Sequence, residues 1–235
     1  MRRSPSLVAP PFPVIFAAPS GAGKTSIARA LRERRDDVVF SISATTRPPR
    51  RYERQGVDYF FHAEPDFRRM IADGELLEWA EVHGNLYGTP DRNLSDARAS
   101  ARHLILDIDV QGSRQVRAKV SDAISIFVLP PSGTELVRRL VGRGSEDGEV
   151  QRRRLLAARD EIAAAAEFDY VIVNHAVDEA VSAVEAILSA ESRRSRRLPE
   201  LDGFVRRLGE EVNAYLDSGP VGPGEGFPGN ERDGR

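Results

Sequence analysis

Val14-Ile-Phe-Ala-Ala-Pro-Ser-Gly-Ala-Gly-Lys-Thr-Ser26 joins a short apolar run to a turn that contains two glycines. The apolar run is typical of a buried parallel strand, and the residues that follow Gly23 have a helical pattern. Glycines let neighbouring backbone N–H groups point at one anion, and the N-terminus of the following helix adds a partial positive charge. Strand, turn and helix in this order predict a phosphate-binding loop.

Two side chains of this loop carry specific chemistry. Lys24 is placed to reach the β- and γ-phosphates of a nucleotide, and the hydroxyl of Thr25 can bind Mg²⁺. Ala18 stands where the full pattern GxxxxGK[ST] has its first glycine, and we expect a nearly normal loop if φ stays negative there. The alternative is a glycine-rich turn with an incidental lysine. The chain has only two lysines, Lys24 and Lys119, which argues against that alternative.

Composition limits the classes of function. The 235 residues suffice for one domain with a real core. A net charge of −2 and a pI near 6.1 argue against a general binder of nucleic acid or membrane surfaces. The absence of cysteine is compatible with a reducing cytoplasm, where we expect the protein to act. No run approaches the roughly 20 apolar residues of a membrane span.

The two ends of the chain differ in composition from its middle. Three prolines interrupt the apolar residues before the loop, so we expect residues 1–11 to be a flexible arm rather than a secretory signal. Residues 191–218 are rich in charge and predict a further helix. Residues 219–235 consist mainly of glycine, proline and charged residues, and we expect a disordered tail.

Between the ends, apolar runs alternate with helical patterns. Strands are expected at 14–17, 38–42, 103–110, 123–129 and 170–174, with helices at 25–35, 111–119, 132–140, 152–166 and 177–188. This alternation predicts an α/β fold with a parallel sheet and helices on both faces. Inside it, we expect strands at 56–61 and 76–82, helices at 67–73 and 93–100, and a turn at 83–90.

Charged residues in three further places indicate function. Arg47 and Arg50 flank a proline pair, which can present two guanidinium groups to one anion, although a solvated basic loop is the alternative. Asp107 and Asp109 end an apolar strand, where either carboxylate can meet Mg²⁺ or substrate. Glu78 lies within an apolar run, which suggests a functional carboxylate. The alternative interpretation is an exposed glutamate on an alternating strand.

Arginines also surround an acidic, glycine-flanked tip at 144–148. Arg138, Arg139 and Arg143 precede the tip, and Arg152 to Arg154 follow it. Two helical arms with this charge are typical of a lid that closes over a triphosphate. Ordinary surface arginines are the alternative interpretation.

Several short motifs in this order resemble the guanylate kinase family over about residues 12–190. They are Ala18–Thr25, Ser41–Arg50, Gly56–Tyr59, Leu77–Ala80, Gly84–Thr89 and Leu106–Gly112. The resemblance implies a P-loop nucleoside monophosphate kinase fold with a core at 12–43, 98–138 and 156–190. It further implies a GMP-binding insertion at 44–97 and a mobile lid at 139–155.

The resemblance also implies the reaction, in which MgATP and GMP, and also dGMP, give ADP and GDP or dGDP. In the family pattern the GMP phosphate is held by Arg47, Arg50, Tyr59 and Tyr87, and the guanine by Ser43, Glu78, Thr89 and Asp107. ATP is held by Ser20, Gly21, Ala22, Gly23, Lys24, Thr25, Ser26 and Asn174, and Mg²⁺ is assigned to Thr25 and Asp109. The transferring phosphoryl group is met by Lys24, Arg47, Arg139, Arg143 and Arg154.

The sequence departs from the family pattern at three places. These are Ala18, the pair Arg51-Tyr52 where Gly-Glu is usual, and His175 where an acid often follows the asparagine. Two other functions share this fold: a binding module without turnover, and a kinase for a phosphorylated sugar. The first typically loses P-loop or acceptor residues such as Lys24 and Arg47, and the second does not account for Glu78, Thr89 and Asp107 together.

Overall fold

Residues 7–82, 84–141 and 148–217 are described by the structure, which is a computed structural model. The chain divides into two compact units, of which one is Pro10–Glu191 and the other holds the described residues on either side of it. In chain order the elements are β1 Pro13–Ala17, α1 Lys24–Arg34, β2 Val38–Phe40, β3 Ala44–Thr45, β4 Phe60–Phe61, α2 Glu64–Ala72, β5 Leu76–Val82, β6 Asn85–Pro90, α3 Arg92–Ala99, β7 His103–Asp107, α4 Val110–Lys119, β8 Ile124–Leu129, α5 Gly133–Val141, α6 Gly148–Ala163, β9 Tyr170–Val173, α7 Val177–Glu191 and α8 Leu201–Asp217.

The central sheet of the larger unit has the strand order β2-β7-β1-β8-β9, and every pairing in it is parallel. All five residues of β1 are buried, as expected for the middle strand of a sheet covered on both faces. One apolar cluster includes Ile27 of α1 and Val181 of α7, and a second includes Leu94 of α3 and Val116 of α4. The expected α/β fold with a parallel sheet core is therefore confirmed.

A second, four-stranded sheet lies within residues 44–97, with the order β4-β3-β6-β5. Strand β5 is an edge strand, and its pairing with β6 is antiparallel with an irregularity between Leu76 and Glu78. Phe67 of α2 and Leu86 of β6 belong to the apolar cluster of this sheet. The irregularity determines where Glu78 points.

The prediction of a turn over 83–90 is wrong for most of that range, because strand β6 occupies Asn85–Pro90. Gly84, with φ of +74°, supplies the left-handed residue of the turn. Gly88 was a misleading turn signal. A Cβ at Gly88 would lie 2.7 Å from the carbonyl oxygen of Glu78, so glycine permits close strand approach there.

Two other boundaries differ from expectation. The strand expected over 56–61 is limited to Phe60–Phe61, and β3 forms at Ala44–Thr45, where no strand was expected. Both are short strands whose pairing partners lie elsewhere in the chain, so local patterns did not reveal them.

Helices α5 and α6 share a small apolar cluster that includes Leu136, Leu140 and Ala158. The arginine-rich lid was expected around the end of α5 and the start of α6, and Arg143 lies outside the described residues, as does the expected tail at 219–235. Among the described residues, no helix is long and apolar enough to cross a membrane.

Candidate active site

The loop between β1 and α1 has the geometry of an anion cradle. The backbone N–H of Ala22 donates to the carbonyl of Pro19 at 3.0 Å, and Gly21 and Gly23 have φ of +85° and +95°. A Cβ on Gly23 would lie 2.3 Å from Nδ2 of Asn174, so this position requires glycine for space as well as for conformation. Ala18 is not among the described non-glycine residues with positive φ, as expected for a tolerated replacement.

A cleft of about 740 Å³ opens above this loop. Its lining includes six of the seven loop residues expected to hold ATP: Ser20, Gly21, Gly23, Lys24, Thr25 and Ser26. The seventh, Ala22, is fully buried and does not line the cleft. Asp109, Arg138, Arg139, Glu161, Asn174 and His175 complete the polar lining. The structure therefore brings the expected metal ligands Thr25 and Asp109 to one cleft.

Lys24 stands between the loop and the end of β7. Its ammonium contacts the carboxylate of Asp107, and its Nζ lies 3.4 Å from the carbonyl oxygen of Ile108. The ammonium is therefore held at the carboxyl edge of the central sheet. This is where ligands of open parallel sheets bind.

Asn174 and Arg139 both reach the same loop from other elements. Nδ2 of Asn174, which is buried, donates to the carbonyl of Ala22 at 2.8 Å, and Nη1 of Arg139 lies 3.4 Å from that oxygen. Glu135, which the sequence interpretation did not include, accepts from Nε of Arg139 at 2.6 Å. Hydrogen bonds from Arg138 and then Arg139 lower the pKa of Glu135 to about 2. The Glu135 carboxylate therefore holds the guanidinium of Arg139 in position at the loop.

Glu161 of α6 is a second residue that the sequence interpretation missed. Its Oε2 accepts a hydrogen bond from the backbone N–H of Ser20 at 3.3 Å. Burial raises the pKa of the Glu161 carboxyl, while the Ser20 hydrogen bond opposes that rise. Arg154 and Glu161 are seven residues apart on α6, a spacing that puts them on one helix face and could have indicated the site.

Arg47 lies among Glu53, Tyr59 and Tyr87, away from the P-loop in the sequence. Its Nη2 lies 2.9 Å from Oε1 of Glu53, and its guanidinium carbon lies 5.4 Å from the centre of the Tyr59 ring. The rings of Tyr59 and Tyr87 meet edge to face with 6.2 Å between their centres. Three of the four residues expected at the GMP phosphate are therefore together.

Glu53 also fixes the position of the fourth residue of that group. Its Oε2 accepts from the backbone N–H of Arg50 at 2.7 Å, while the side chain of Arg50 is in an exposed position. The hydrogen bond from Arg47 lowers the pKa of Glu53. Ser43, expected at the base, immediately precedes β3, and its carbonyl accepts from Phe60 N at 2.8 Å.

Glu78 is buried, with 7 % of its surface exposed, so the alternative of an exposed strand position is wrong. The hydroxyl of Thr89, itself fully buried, donates to Oε1 of Glu78 at 2.6 Å. Burial raises the pKa of Glu78, the Thr89 hydrogen bond opposes this, and the charge of Asp109 raises it further. A hydroxyl has one hydrogen to donate, and in this structure Thr89 uses it on Glu78.

Asp109 caps helix α4 and lies beside Glu78. Its Oδ1 accepts from the backbone N–H of Gly112 at 2.7 Å. A Cβ on Gly112 would lie 2.9 Å from Oε2 of Glu78 and 3.4 Å from Oδ1 of Asp109, so both carboxylates flank the same glycine. The expectation had placed Asp107 at the base, but Asp107 ends β7 against Lys24. The chain turns from strand to helix between the two aspartates, which sends their side chains to different places.

Comparison with known proteins identifies the family. The guanylate kinase family model matches residues 11–191. The chain belongs to the guanylate kinase family. The guanylate kinase of Thermobifida fusca is 48 % identical over 178 residues, which are 76 % of this chain and 91 % of the relative. That of Dechloromonas aromatica is 50 % identical over 176 residues, 75 % of this chain and 87 % of the relative.

The fold agrees with a solved guanylate kinase. The crystal structure of the enzyme from Anaplasma phagocytophilum superposes with a TM-score of 0.70 at 33 % identity, covering 86 % of this chain and 97 % of that one. The matched range ends at the same residue as helix α7. Helix α8 therefore lies beyond the range that the guanylate kinase family model matches.

The buried carboxyl of Glu78 should make the folded state less stable above mildly acidic pH. Because the pKa of Glu78 in the folded state is raised from 4.5, ionisation costs more there than in the unfolded chain. The free energy of unfolding therefore begins to fall as pH rises through 4.5, and the decrease is complete above the raised folded-state pKa. We therefore expect Glu78→Gln to raise Tm by a few degrees at pH 8 and to gain little at pH 4.

Thermal unfolding of both proteins from pH 4 to pH 8 measures this difference. Glu81→Gln, on the same strand at an exposed position, is the matched control and should leave Tm unchanged. A Tm difference between wild type and Glu78→Gln that stays constant over this range would contradict the expectation.

Proposed function

We propose that this chain transfers the γ-phosphoryl group of ATP to GMP, and also to dGMP, as a working guanylate kinase. The observation that carries the proposal is the buried Glu78–Thr89 pair, found in the same unit as an intact P-loop. A buried carboxylate in a substrate site favours a base with adjacent N–H donors. Guanine has two such donors, at N1 and at the exocyclic N2 amine.

The acceptor phosphate is assigned to Arg47, Arg50, Tyr59 and Tyr87. Glu53 holds Arg47 with its charge and geometry fixed, which reduces the entropy lost when the guanidinium binds an anion. The phosphate of GMP is already ionised at neutral pH, so no strong general base is required. The task of these residues is to hold the acceptor oxygen in line with the donor.

The base is assigned to Glu78, with Asp109 as its neighbour and Ser43 at the edge of the site. Asp107, which the resemblance assigns to the guanine, lies against Lys24, whereas Asp109 lines the donor cleft and flanks Gly112 together with Glu78. Thr89 is assigned to orient the Glu78 carboxylate. Its own contact with guanine O6 would require the hydroxyl hydrogen to leave Glu78.

The donor side fits MgATP. The hydroxyl of Thr25 and the carboxylate of Asp109 line the cleft, and oxygen ligands of this kind are what Mg²⁺ prefers. Within the described residues no group of three or more acidic or histidine side chains forms a protein cage for a metal, which suits an ion held largely by phosphates. When bound, Mg²⁺ would neutralise charge on the phosphates.

The chain's own residues act by position and charge. Lys24, with the backbone N–H groups of the P-loop, binds the donor phosphates, and Asn174 holds the loop in shape from behind. Arg139, oriented by Glu135, and Arg154 are assigned to the transferring phosphoryl group, together with Arg143. Preorganised charges of this kind stabilise the transition state for direct transfer, in which the new O–P bond to GMP forms as the bond to ADP breaks and no side chain is phosphorylated.

The two alternatives fit these contacts less well. A binding module has no need for Lys24 in a cleft large enough for a nucleotide, or for an arginine oriented by a nearby carboxylate. A sugar phosphate has no pair of adjacent N–H donors to satisfy a buried Glu78. An ADP-release assay with GMP, dGMP, AMP, UMP and ribose 5-phosphate separates the three functions. Turnover with GMP and dGMP alone supports the proposal, and no turnover with either would refute it.

Removing either arginine of the acceptor cluster should weaken GMP capture selectively. Charge-assisted hydrogen bonds contribute about 1.5–3 kcal/mol each, so Arg47→Ala and Arg50→Ala should raise KM for GMP roughly 10- to 100-fold. KM for ATP should change less than about twofold, because Lys24 and the P-loop are untouched. Steady-state kinetics with each substrate varied in turn measures this. Unchanged KM for GMP in both variants would remove these arginines from the phosphate site.

A further inference from the structure

Helix α4 occupies the open edge of strand β5 on both sides of Glu78. Strand β5 is an edge strand, so the backbone groups on its outer side have no neighbouring strand. Nε2 of Gln115 donates to the carbonyl of Trp79 at 2.9 Å, and Oε1 of Gln115 accepts from Trp79 N at 3.2 Å. One side chain thus makes the reciprocal pair of bonds that a neighbouring strand would make.

Lys119 makes the corresponding contact on the other side of Glu78. Its Nζ donates to the carbonyl of Leu76 at 2.8 Å. Gln115 and Lys119 are four residues apart and therefore share one face of α4. Gln115 contacts Trp79, one residue after Glu78, and Lys119 contacts Leu76, two residues before it. The three hydrogen bonds, to Leu76 and to Trp79, lie on either side of the β5 irregularity between Leu76 and Glu78.

The irregularity gives those contacts their importance. In a regular strand, side chains alternate between faces, but Leu76, Leu77 and Glu78 are all buried. A bulge of this kind redirects side chains, and it disrupts the hydrogen bonds between the two paired strands locally. Leu77 enters the apolar cluster that also contains Val116 of α4, whereas Glu78 turns towards Thr89 and Gly112.

We propose that Gln115 and Lys119 are positioning residues for Glu78, which hold the bulged edge of β5 so that its carboxylate faces the guanine. The inference rests on the proposed role of Glu78 at the base. Neither side chain touches the substrate in this proposal. Their effect should therefore appear in GMP affinity and in base choice, and not in ATP affinity.

The test uses Gln115→Leu and Lys119→Met in the full chain, with GMP binding measured by calorimetry and kinetics with GMP, AMP and ATP. Lys119→Met removes one hydrogen bond to β5 and Gln115→Leu removes two. One lost hydrogen bond corresponds to about a tenfold change, so we expect each variant to raise Kd and KM for GMP by at least about tenfold. The GMP/AMP ratio of kcat/KM should fall by a similar factor, with KM for ATP within about twofold of wild type. Lys119→Arg, which keeps a donor and the charge, should restore most of the loss.

Arg114→Leu is the matched control, because it removes two hydrogen bonds to Glu167 from the same helix and none to β5. It should leave GMP affinity unchanged. Hydrogen exchange at Trp79 N–H should become faster in Gln115→Leu and not in Arg114→Leu. Equal loss of GMP and ATP affinity, or loss in Arg114→Leu as well, would show a merely structural role and overturn the inference.

Glu78→Gln separates this inference from the proposed function. If Glu78→Gln leaves base choice unchanged, the role of Glu78 at the base fails. If Glu78→Gln changes base choice but Gln115→Leu and Lys119→Met do not, only the positioning role fails. In the Glu78→Gln background, Gln115→Leu should reduce the GMP/AMP ratio by much less than tenfold, because the two changes act through the same carboxylate.

Discussion

Lys24→Ala should lower kcat with MgATP roughly 10³-fold while GMP affinity stays within about twofold of wild type. The loss of one preorganised charge at a transferring group typically costs this much, because its interaction strengthens as charge develops in the transition state. The ammonium lies at the P-loop cleft beside Asp107, away from Arg47 and the tyrosines that are assigned to the acceptor. Single-turnover kinetics and calorimetric titration with GMP measure the two quantities separately.

The fold itself should survive this substitution. The ion pair between Lys24 and Asp107 leaves the Asp107 side chain 40 % exposed, and pairs of this kind contribute little to stability. Arg29→Ala on the exposed face of α1 is the matched control and should keep full activity. Near-normal kcat in Lys24→Ala would contradict the assigned role, and a parallel loss of GMP affinity would indicate general damage.

The P-loop and the central sheet could be predicted because their signals are local. Strand β1 is apolar throughout, and Gly21 and Gly23 lead directly into helix α1 although Ala18 replaces the first glycine of the pattern. Helix α4 and strand β7 were likewise found within a few residues of their observed ends. Each of these elements is specified by neighbouring residues, so no knowledge of distant partners was needed.

The strands of the second sheet were harder to predict from sequence, because each short strand is stabilised by pairing with residues elsewhere in the chain. Gly88 and Pro90 are turn signals in isolation, yet both lie in β6. The close approach of β5 explains the glycine, and only the paired structure shows that approach. Burial of Glu78 also depends on the bulge in β5, which no periodicity in the sequence indicates.

Side-chain partners far apart in the chain were missed for a related reason. Glu161 meets the Ser20 N–H across 141 positions, and only its place seven residues after Arg154 on α6 could have indicated that contact. Glu135 and Glu53 are close in sequence to the arginines that they orient, at spacings of four and six residues. The Glu135–Arg139 spacing is a helical i, i+4 pair and could have been predicted.

Base choice is where we expect the largest effect, with wild type preferring GMP over AMP by roughly 10⁴-fold in kcat/KM. Sites that hydrogen-bond a substrate group reject an analogue without it by about this factor, because the buried partner is left unpaired. Adenine has no proton on N1 and no N2 amine, so AMP would leave the buried Glu78 carboxylate without donors. The same analysis applies to dGMP, which keeps both donors and should remain a substrate.

Glu78→Gln should reduce that preference about 10²-fold, mainly by lowering kcat/KM for GMP. The neutral amide accepts more weakly than a carboxylate, and its NH₂ group would face one of the two guanine donors. Thr89 can still donate to the amide oxygen, so the side chain should keep its place. Kinetics with GMP and AMP in wild type and Glu78→Gln measure the ratio, with the exposed Glu81→Gln as control. A wild-type enzyme that phosphorylates AMP as well as GMP would refute the guanine assignment, and an unchanged ratio in Glu78→Gln would remove Glu78 from the base site.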